Sequence, residues 1–421
     1  MKMRPLSPTP TPGPGLAPKP SPAVTLPAFL QAPHRVAFLP GMVFAITLLA
    51  GWSLEMSHRL AGFALPLSIP ATLAHGFLML YGIFPFFMTG FILTAGPRWL
   101  NVDAPSRARY LAIPALMAGG LVAWLAALAL GPGLAVAGLL SYALGFAGLV
   151  LVFGQIILAS PQPDRRHAIA VELAFIVGLA GLMAALCWLL SGDTLGWAVM
   201  RDLALWGFLL PVFLTVSHRM VPFFSSSVLA GYTVWRPNWL LYALLGGSFG
   251  HGLLHIAGVT TLPADLPFAL LLAYTSWRWQ LRASLSVRLL GMLHLAFAWL
   301  AIGFTLYVLQ EGAALFGQPL LGLAPLHAIT TGFFLTMMIA FVTRVSLGHS
   351  GRPLEASPGI WRLYLAAHWM ALARVLADLP PAGLTSVLYV VAAGGWLLTL
   401  LCWGRLFIPA YLKRREDGKP G

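Results

Sequence analysis

Charged side chains are scarce in this sequence. Only 9% of its 421 residues are charged, 59% are hydrophobic, and the mean hydropathy is +0.84. A soluble protein carries roughly 25% charged residues. Too few polar side chains are available to cover a globular surface in water, so the sequence excludes a soluble enzyme.

Cysteine and the common catalytic motifs are also scarce or missing. The two cysteines, Cys187 and Cys402, fall in different apolar runs, so the sequence offers neither a disulfide framework nor a cysteine-based cofactor attachment motif. A glycine-rich phosphate loop is missing, so nothing supports ATP-driven transport. No Ser-His-Asp arrangement can be recognised, and we assign no catalytic residue.

Acidic residues are few as well, with 12 Asp and Glu against 25 Lys and Arg. The basic residues lie between apolar runs instead of forming one patch. This distribution is typical of topology signals in a membrane protein and not of a nucleic-acid-binding surface. We therefore expect a lipid bilayer around the protein and no nucleic-acid partner.

Apolar runs long enough to cross a bilayer follow one another from residue 36 onward. Backbone groups in a bilayer must be hydrogen-bonded within the segment, so these runs predict helices. The sequence thus predicts an all-α polytopic membrane protein with about twelve transmembrane helices. The predicted spans lie near residues 36–54, 71–96, 112–130, 133–158, 168–190, 197–217, 238–258, 263–279, 288–309, 325–347, 360–378 and 384–409.

The predicted domain organisation has three parts. Residues 1–33 contain ten prolines and no acidic residue, a composition that predicts a disordered cytoplasmic tail. Residues 34–410 form the transmembrane domain. Residues 411–421 form a basic cytoplasmic tail.

Lysine and arginine indicate the orientation of the predicted helices. All but three of the 25 basic residues fall on one side, and the exceptions are Arg59, Arg201 and Arg374. Cytoplasmic loops of membrane proteins carry the excess of Lys and Arg. The sequence therefore predicts that both termini are cytoplasmic.

Ionisable side chains inside a span are costly and mark functional candidates, and histidines stand out among them here. His75 in span two and His327 at the start of span ten lie within about two turns of the outer ends of their helices. Two imidazoles at one depth can bind a porphyrin iron from opposite faces. The alternative is an ordinary hydrogen bond at the interface for each, and the sequence leaves both interpretations open.

A second pair of histidines lies on one helix. His251 and His255 are four residues apart in span seven, so their side chains share a face and lie about 6 Å apart. This spacing suits one metal ion or two adjacent ones, with a further ligand from another helix. Gly247 lies one turn below on the same face, and the alternative interpretation is helix packing through small residues.

The inner side offers further candidates. His294 in span nine is either a haem ligand or a core histidine hydrogen-bonded to a carbonyl group. Arg219 and Arg344 could pair with haem carboxylates, because guanidinium groups bind carboxylates with two hydrogen bonds. Arg344 could equally be a positive-inside anchor. It lies with His349 in a loop-like stretch at the inner end of span ten.

Two other inner histidines, His34 and His167, neighbour arginines in the sequence. We expect them to be solvated contacts to lipid headgroups.

Five segments together resemble the NnrS family of membrane proteins, which carry haem and copper. They occur in the family's order and extend over most of residues 34–409. The segments are residues 90–99 at the end of span two, 218–224 after span six, 293–299 in span nine, 326–332 at the start of span ten and 342–354 at its end.

The resemblance implies a multi-pass protein of the bacterial inner membrane that takes part in nitric oxide metabolism or in resistance to nitrosative stress. It implies a haem, expected to be of b type, and copper. Nitric oxide or a related small gas is the implied small-molecule partner, and no electron donor is indicated. The haem candidates are His75, His294, His327 and His349, and the copper candidates are His251 and His255.

Two other classes of function remain open from the sequence. A haem–copper oxidoreductase that reduces oxygen or nitric oxide would also have about twelve spans, with histidines near the outer ends of spans two and ten. Against it, span seven lacks two adjacent histidines and span six lacks a His-Pro-Glu-Val-Tyr run. A metal-free secondary transporter would show paired broken helices in two repeats, and no internal repeat is recognisable.

The distribution of basic residues makes the topology testable. Reporter fusions after residues near 60, 132, 193, 260 and 312 should report the periplasm, and fusions near 104, 164, 230 and 284 should report the cytoplasm. Two neighbouring fusions on the same side would contradict the predicted number of spans.

Overall fold

The computed structural model describes residues 27–63, 65–318, 320–379 and 382–416. Within these ranges the chain is helical and contains no strand. The predicted all-α class is therefore confirmed. The long helices are α1 Pro33–Leu60, α2 Ala71–Leu100, α3 Arg107–Leu130, α4 Pro132–Leu158, α5 Arg166–Ser191, α6 Thr194–Val228, α7 Asn238–Ile256, α8 Leu262–Arg278, α9 Arg288–Ala314, α10 Ala324–Ser350, α11 Pro358–Leu376 and α12 Thr385–Leu412.

Nine helices among the described residues are long and apolar enough to cross a membrane. They are α1 to α6, α9, α10 and α12. Helices α7, α8 and α11 coincide with predicted spans seven, eight and eleven but have only 19, 17 and 19 residues. The structure thus supports a multi-pass membrane protein.

Helices α3 and α4 form the closest helix pair, and glycines make this possible. A Cβ atom on Gly120 would lie 2.5 Å from the backbone nitrogen of Tyr142, and one on Gly138 would lie 2.5 Å from the carbonyl oxygen of Gly120. Gly131 makes the turn between the two helices with a φ of 120°, which only glycine adopts readily. Small residues that let backbones meet are a common means of helix association in membranes.

Three of the long helices are irregular at buried positions. Helix α2 is interrupted at Gly82 and Ile83, between Ala71–Tyr81 and Phe84–Leu100. Helices α6 and α10 each contain a π-helical segment, at Leu203–Leu209 and Ala328–Leu335. π-Helical turns are rare and are frequently found at functional sites. The segment of α10 begins directly after His327.

The N-terminal end of α1 and the C-terminal end of α12 are joined by a buried arginine. Arg35 is only 1% exposed and donates to the carbonyl oxygens of Tyr411 and Lys413, at 3.5 and 2.7 Å. The residues after α12 also contact α10, because the backbone N–H of Glu416 donates to the carbonyl oxygen of Ser350 at 2.9 Å. Of the predicted N-terminal tail, residues 1–26 lie outside the described residues, and Ala28–Leu30 form one turn of 3₁₀ helix.

The stretch that contains Arg344 and His349 is helical. It forms the last turns of α10, which continues to Ser350 and ends at Gly351 in the left-handed conformation. The expectation of a loop-like stretch here was wrong, because the helix continues past the predicted end of span ten near residue 347. Both side chains are therefore fixed on a helix.

The close packing of α3 on α4 predicts a sharp difference between two adjacent glycines. Gly120→Leu should destabilise the folded protein by about 1–3 kcal/mol or prevent its folding, because the new side chain meets the backbone of α4. Gly119→Leu is the matched control, since nothing lies within 4 Å of a Cβ atom there. Thermal unfolding in detergent measures both, and equal stability of the two variants would contradict the packing.

Candidate functional site

A cavity of about 550 Å³ is enclosed by α1, α2, α6, α10, α11 and α12. Its volume lies within the range of roughly 300–1,000 Å³ that is usual for ligand sites. Most of the wall is apolar, with leucine, methionine and tryptophan side chains. The polar groups on the wall are two histidines, three arginines, Tyr389 and a few hydroxyl groups.

His75 of α2 and His327 of α10 both line this cavity. The two side chains therefore reach one space from different helices. The His75 ring stacks on the Trp52 indole, with centroids 3.7 Å apart, and its buried Nδ1 has no hydrogen-bond partner. The His327 Nδ1–H donates to the carbonyl oxygen of Leu323 at 3.0 Å.

The hydrogen bond of His327 determines which nitrogen can act as a ligand. A carbonyl oxygen can only accept, so Nδ1 carries the proton and the lone pair of the neutral ring is on Nε2. Metal-bound histidines typically donate their other N–H to a carbonyl group or a carboxylate. His327 is therefore held in the tautomer that a metal ligand requires.

Three arginines line the same cavity: Arg59, Arg201 and Arg374. They are the three basic residues that the sequence places on the outer side. Each guanidinium forms an ion pair with an acidic side chain one or four positions away in the sequence. The pairs are Arg59 with Glu55 at 2.7 Å, Arg201 with Asp202 at 2.7 Å and Arg374 with Asp378 at 2.8 Å.

From the sequence alone we assigned these arginines to no site, although their predicted position on the outer side was a signal. Basic residues are rare on the outer side of membrane proteins, so the three exceptions invited a functional explanation. The Nε1 of Trp396 adds a further donor on the wall of this cavity, since it is buried without a partner. The cavity thus combines two imidazoles with several donors that suit carboxylates.

The second histidine pair lies in a buried polar network. His251 is fully buried, and its Nδ1–H donates to the Asp265 carboxylate of α8 at 2.7 Å. Thr261 donates to the other oxygen of Asp265 at 2.5 Å. The Nε2 of His251 is buried without a partner. This is the arrangement in which a carboxylate orients a metal-binding imidazole.

His255 has a similar carboxylate partner on another helix. Its Nδ1 lies 3.3 Å from Oδ2 of Asp202, and its ring centroid lies 5.9 Å from that of His251. Asp202 also accepts two hydrogen bonds from Arg201, at 2.7 and 3.0 Å. Asp202 therefore connects the histidine pair to an arginine of the large cavity.

The glycines beside this pair serve helix packing. A Cβ atom on Gly247 would lie within 2.6 Å of the Phe268 ring, and one on Gly252 would lie 2.6 Å from Cβ of Trp206. The described residues contain no group of three or more His, Cys, Asp or Glu side chains that could hold a metal ion. His251 and His255 thus offer two imidazoles, each oriented by a carboxylate, without a third ligand of these types.

The comparison with protein families matches almost the whole chain. The family model described as NnrS protein covers residues 28–415. The chain belongs to the NnrS family. The resemblance found in the sequence is therefore confirmed, and membership suggests a role in the nitric oxide response. None of the curated proteins compared with the chain matches it.

In this NnrS-family protein, Arg219 and Arg344 lie away from the large cavity. Neither belongs to its wall. The Arg219 guanidinium lies 4.7 Å from the centre of the Trp99 ring, and that of Arg344 lies 3.9 Å from the centre of the Phe224 ring. Stacking on aromatic rings stabilises both cations where they are half-buried.

His294 and His349 also lie apart from His75 and His327. His294 is 2% exposed, and its Nε2 lies 3.0 Å from the Ser225 hydroxyl. That hydroxyl donates to the carbonyl of Val221, so the imidazole is the donor to Ser225. The sequence left a haem ligand and a core histidine open for His294, and its hydroxyl partner favours the core histidine.

The inner histidines of the NnrS-family chain are more buried than we expected. His34 is 2% exposed, and its ring lies 4.3 Å from the ring of His349. His167 is 6% exposed, and its Nε2 lies 2.9 Å from Nδ1 of His218. The expectation of solvated headgroup contacts for His34 and His167 was wrong, because a histidine on a neighbouring helix covers each of them.

Proposed function

We propose that the large cavity binds a haem, with His75 and His327 as the two iron ligands. One observation carries the proposal: the two histidines and three arginines line the same cavity of about 550 Å³. A haem needs a largely apolar space for its ring, imidazoles for its iron and cations for its carboxylates. The residues of this cavity supply all three.

The three arginines have donors left for a ligand. A guanidinium group has five N–H donors. Arg59 uses two with Glu55 and Thr72, Arg201 uses two with Asp202, and Arg374 uses one with Asp378. Their own carboxylates hold these side chains in place before a ligand arrives. A haem carboxylate would therefore meet guanidinium groups that are already oriented.

The histidines are held by their surroundings in different ways. The bond to Leu323 directs Nε2 of His327 away from its own helix backbone, whereas stacking on Trp52 fixes the plane of the His75 ring. A bound haem would supply an iron centre for electron transfer or for binding a small gas. The role of the chain is to hold that iron in an apolar space between two helices.

We also propose that His251 and His255 bind copper. Imidazole is a suitable copper ligand, and the carboxylates of Asp265 and Asp202 each hold one ring through its Nδ1. The buried, unpartnered Nε2 of His251 supports this assignment. The copper ligands and the proposed iron ligands lie on different helices.

In the membrane, we propose twelve crossings with both termini on the cytoplasmic side of the bacterial inner membrane. The coincidence of α7, α8 and α11 with predicted spans supports the number, and the basic residues support the orientation. Family membership supports a function in nitric oxide metabolism or in protection from nitrosative stress.

The haem proposal predicts the effect of removing one iron ligand. His327→Ala should lower the haem content or convert most of the low-spin optical spectrum to high-spin, because a coordination position opens. His75→Ala should do the same. Added imidazole should restore part of the low-spin spectrum of either variant, which a merely misfolded protein would not show.

His58→Ala is the matched control for these variants. His58 lies on α1 at the same end of the protein but does not line the cavity. The optical spectrum of the haem in the His58→Ala variant should match that of the unmodified protein. Full haem content and an unchanged low-spin spectrum in His327→Ala would remove this residue from the site.

The copper proposal predicts that His251 and His255 act separately from the haem ligands. Replacing both with Ala should remove most of the bound copper, measured as metal per protein, and should leave most of the haem. His294→Ala is the control, since it removes a buried histidine that already has a hydroxyl partner. Equal loss of haem and copper in the double variant would contradict separate sites.

A further inference from the structure

A second cavity lies in the interior of the bundle. It has a volume of about 60 Å³ and lies between α1, α2, α5, α6 and α10. Phenylalanine, valine, methionine and isoleucine side chains make up its wall, and all but Phe91 and Val345 are buried. The wall includes Val171 and Phe175 of α5, which have no exposed surface.

The chemistry of this wall selects what the cavity can hold. A buried water molecule needs two to four polar partners, and the side chains here offer none. An ion would lose its hydration without any compensation. Apolar cavities of this kind stay dry and bind apolar molecules such as xenon. About 10–15 Å³ of such space is enough for one water-sized molecule, so the cavity has room for several small ones.

The position of the small cavity connects it to the proposed haem site. The Phe84 side chain lines both cavities. Phe84 is the first residue of α2 after its interruption, and its ring packs on the rings of Phe213 and Phe334. The small cavity is thus separated from the large one by a phenylalanine at a break in the helix.

We propose that the small cavity is a binding site for small, uncharged, apolar gas molecules, next to the site where they would react. Its use by a reacting gas rests on the proposed haem function, but gas binding itself does not. The membrane supplies such molecules, because they dissolve better in hydrocarbon than in water. The cavity offers them a dry space within the protein that excludes water and ions.

Xenon is the probe that tests this site directly. Crystals of the full-length protein under xenon pressure should show a xenon atom between Val171, Val212 and Val216 in anomalous difference density. Xenon needs no haem, so the same result is expected for protein with and without its cofactors. Absence of xenon from this cavity in the unmodified protein would overturn the proposal.

Filling the cavity should abolish xenon binding. Val216→Phe adds a ring to the wall of the cavity, and Val122→Phe is the matched control because Val122 is 58% exposed on α3. Xenon should be lost in the first variant and retained in the second. Val212→Leu adds one carbon to the wall and should lower the occupancy partially if the larger variant does not fold. Full xenon occupancy in both cavity variants would overturn the proposal.

The two proposals fail in different ways. If the protein binds xenon in the small cavity but binds no haem, the gas-site proposal stands and the haem proposal is rejected. If the protein binds haem but no xenon, the haem proposal stands and the gas-site proposal is rejected. In haem-containing His75→Ala protein, whose iron has an open coordination position, Phe84→Trp should slow the binding of nitric oxide to the iron, whereas Phe86→Trp should not, since Phe86 lines neither cavity. Equal rates in both variants would contradict passage beside Phe84.

Discussion

A charge inside a membrane protein must be paired within the protein, and this constraint shapes the end of the bundle that contains the large cavity. The guanidinium groups there are each held by a carboxylate one or four positions away in the sequence. An unpaired buried charge would cost several kcal/mol, about 3–5 when one partner is removed. The pairing lets cations line a largely apolar cavity, where they can bind an anionic group without first being ordered.

The pairing of Arg201 with Asp202 also connects the two proposed cofactor sites. Asp202 is 5% exposed and accepts from Arg201 on one side and from His255 on the other. Asp202 lies directly before the π-helical segment of α6. A ligand that draws Arg201 into the large cavity therefore acts on the carboxylate that orients His255. The structure thus provides a direct physical connection between the large cavity and the histidine pair.

Much of the fold could be predicted because hydropathy is a local property. Each predicted apolar run is a helix, and the positions of His75 and His327 in those runs indicated that the two side chains could meet at one site. Burial of His34 and His167 could not be predicted, since it depends on histidines from other helices that pack against them. The π-helical segments have no recognisable sequence pattern, and the carboxylate partners of the copper candidates come from other helices.

The proposed haem iron lies in one cavity between two imidazoles. Electron paramagnetic resonance of the oxidised protein, purified with its haem, measures this coordination directly. We expect a low-spin ferric signal of a bis-histidine centre, because both axial positions would be filled by strong nitrogen ligands. A purely high-spin ferric signal from protein with full haem content would contradict it, as would a folded protein that binds no haem.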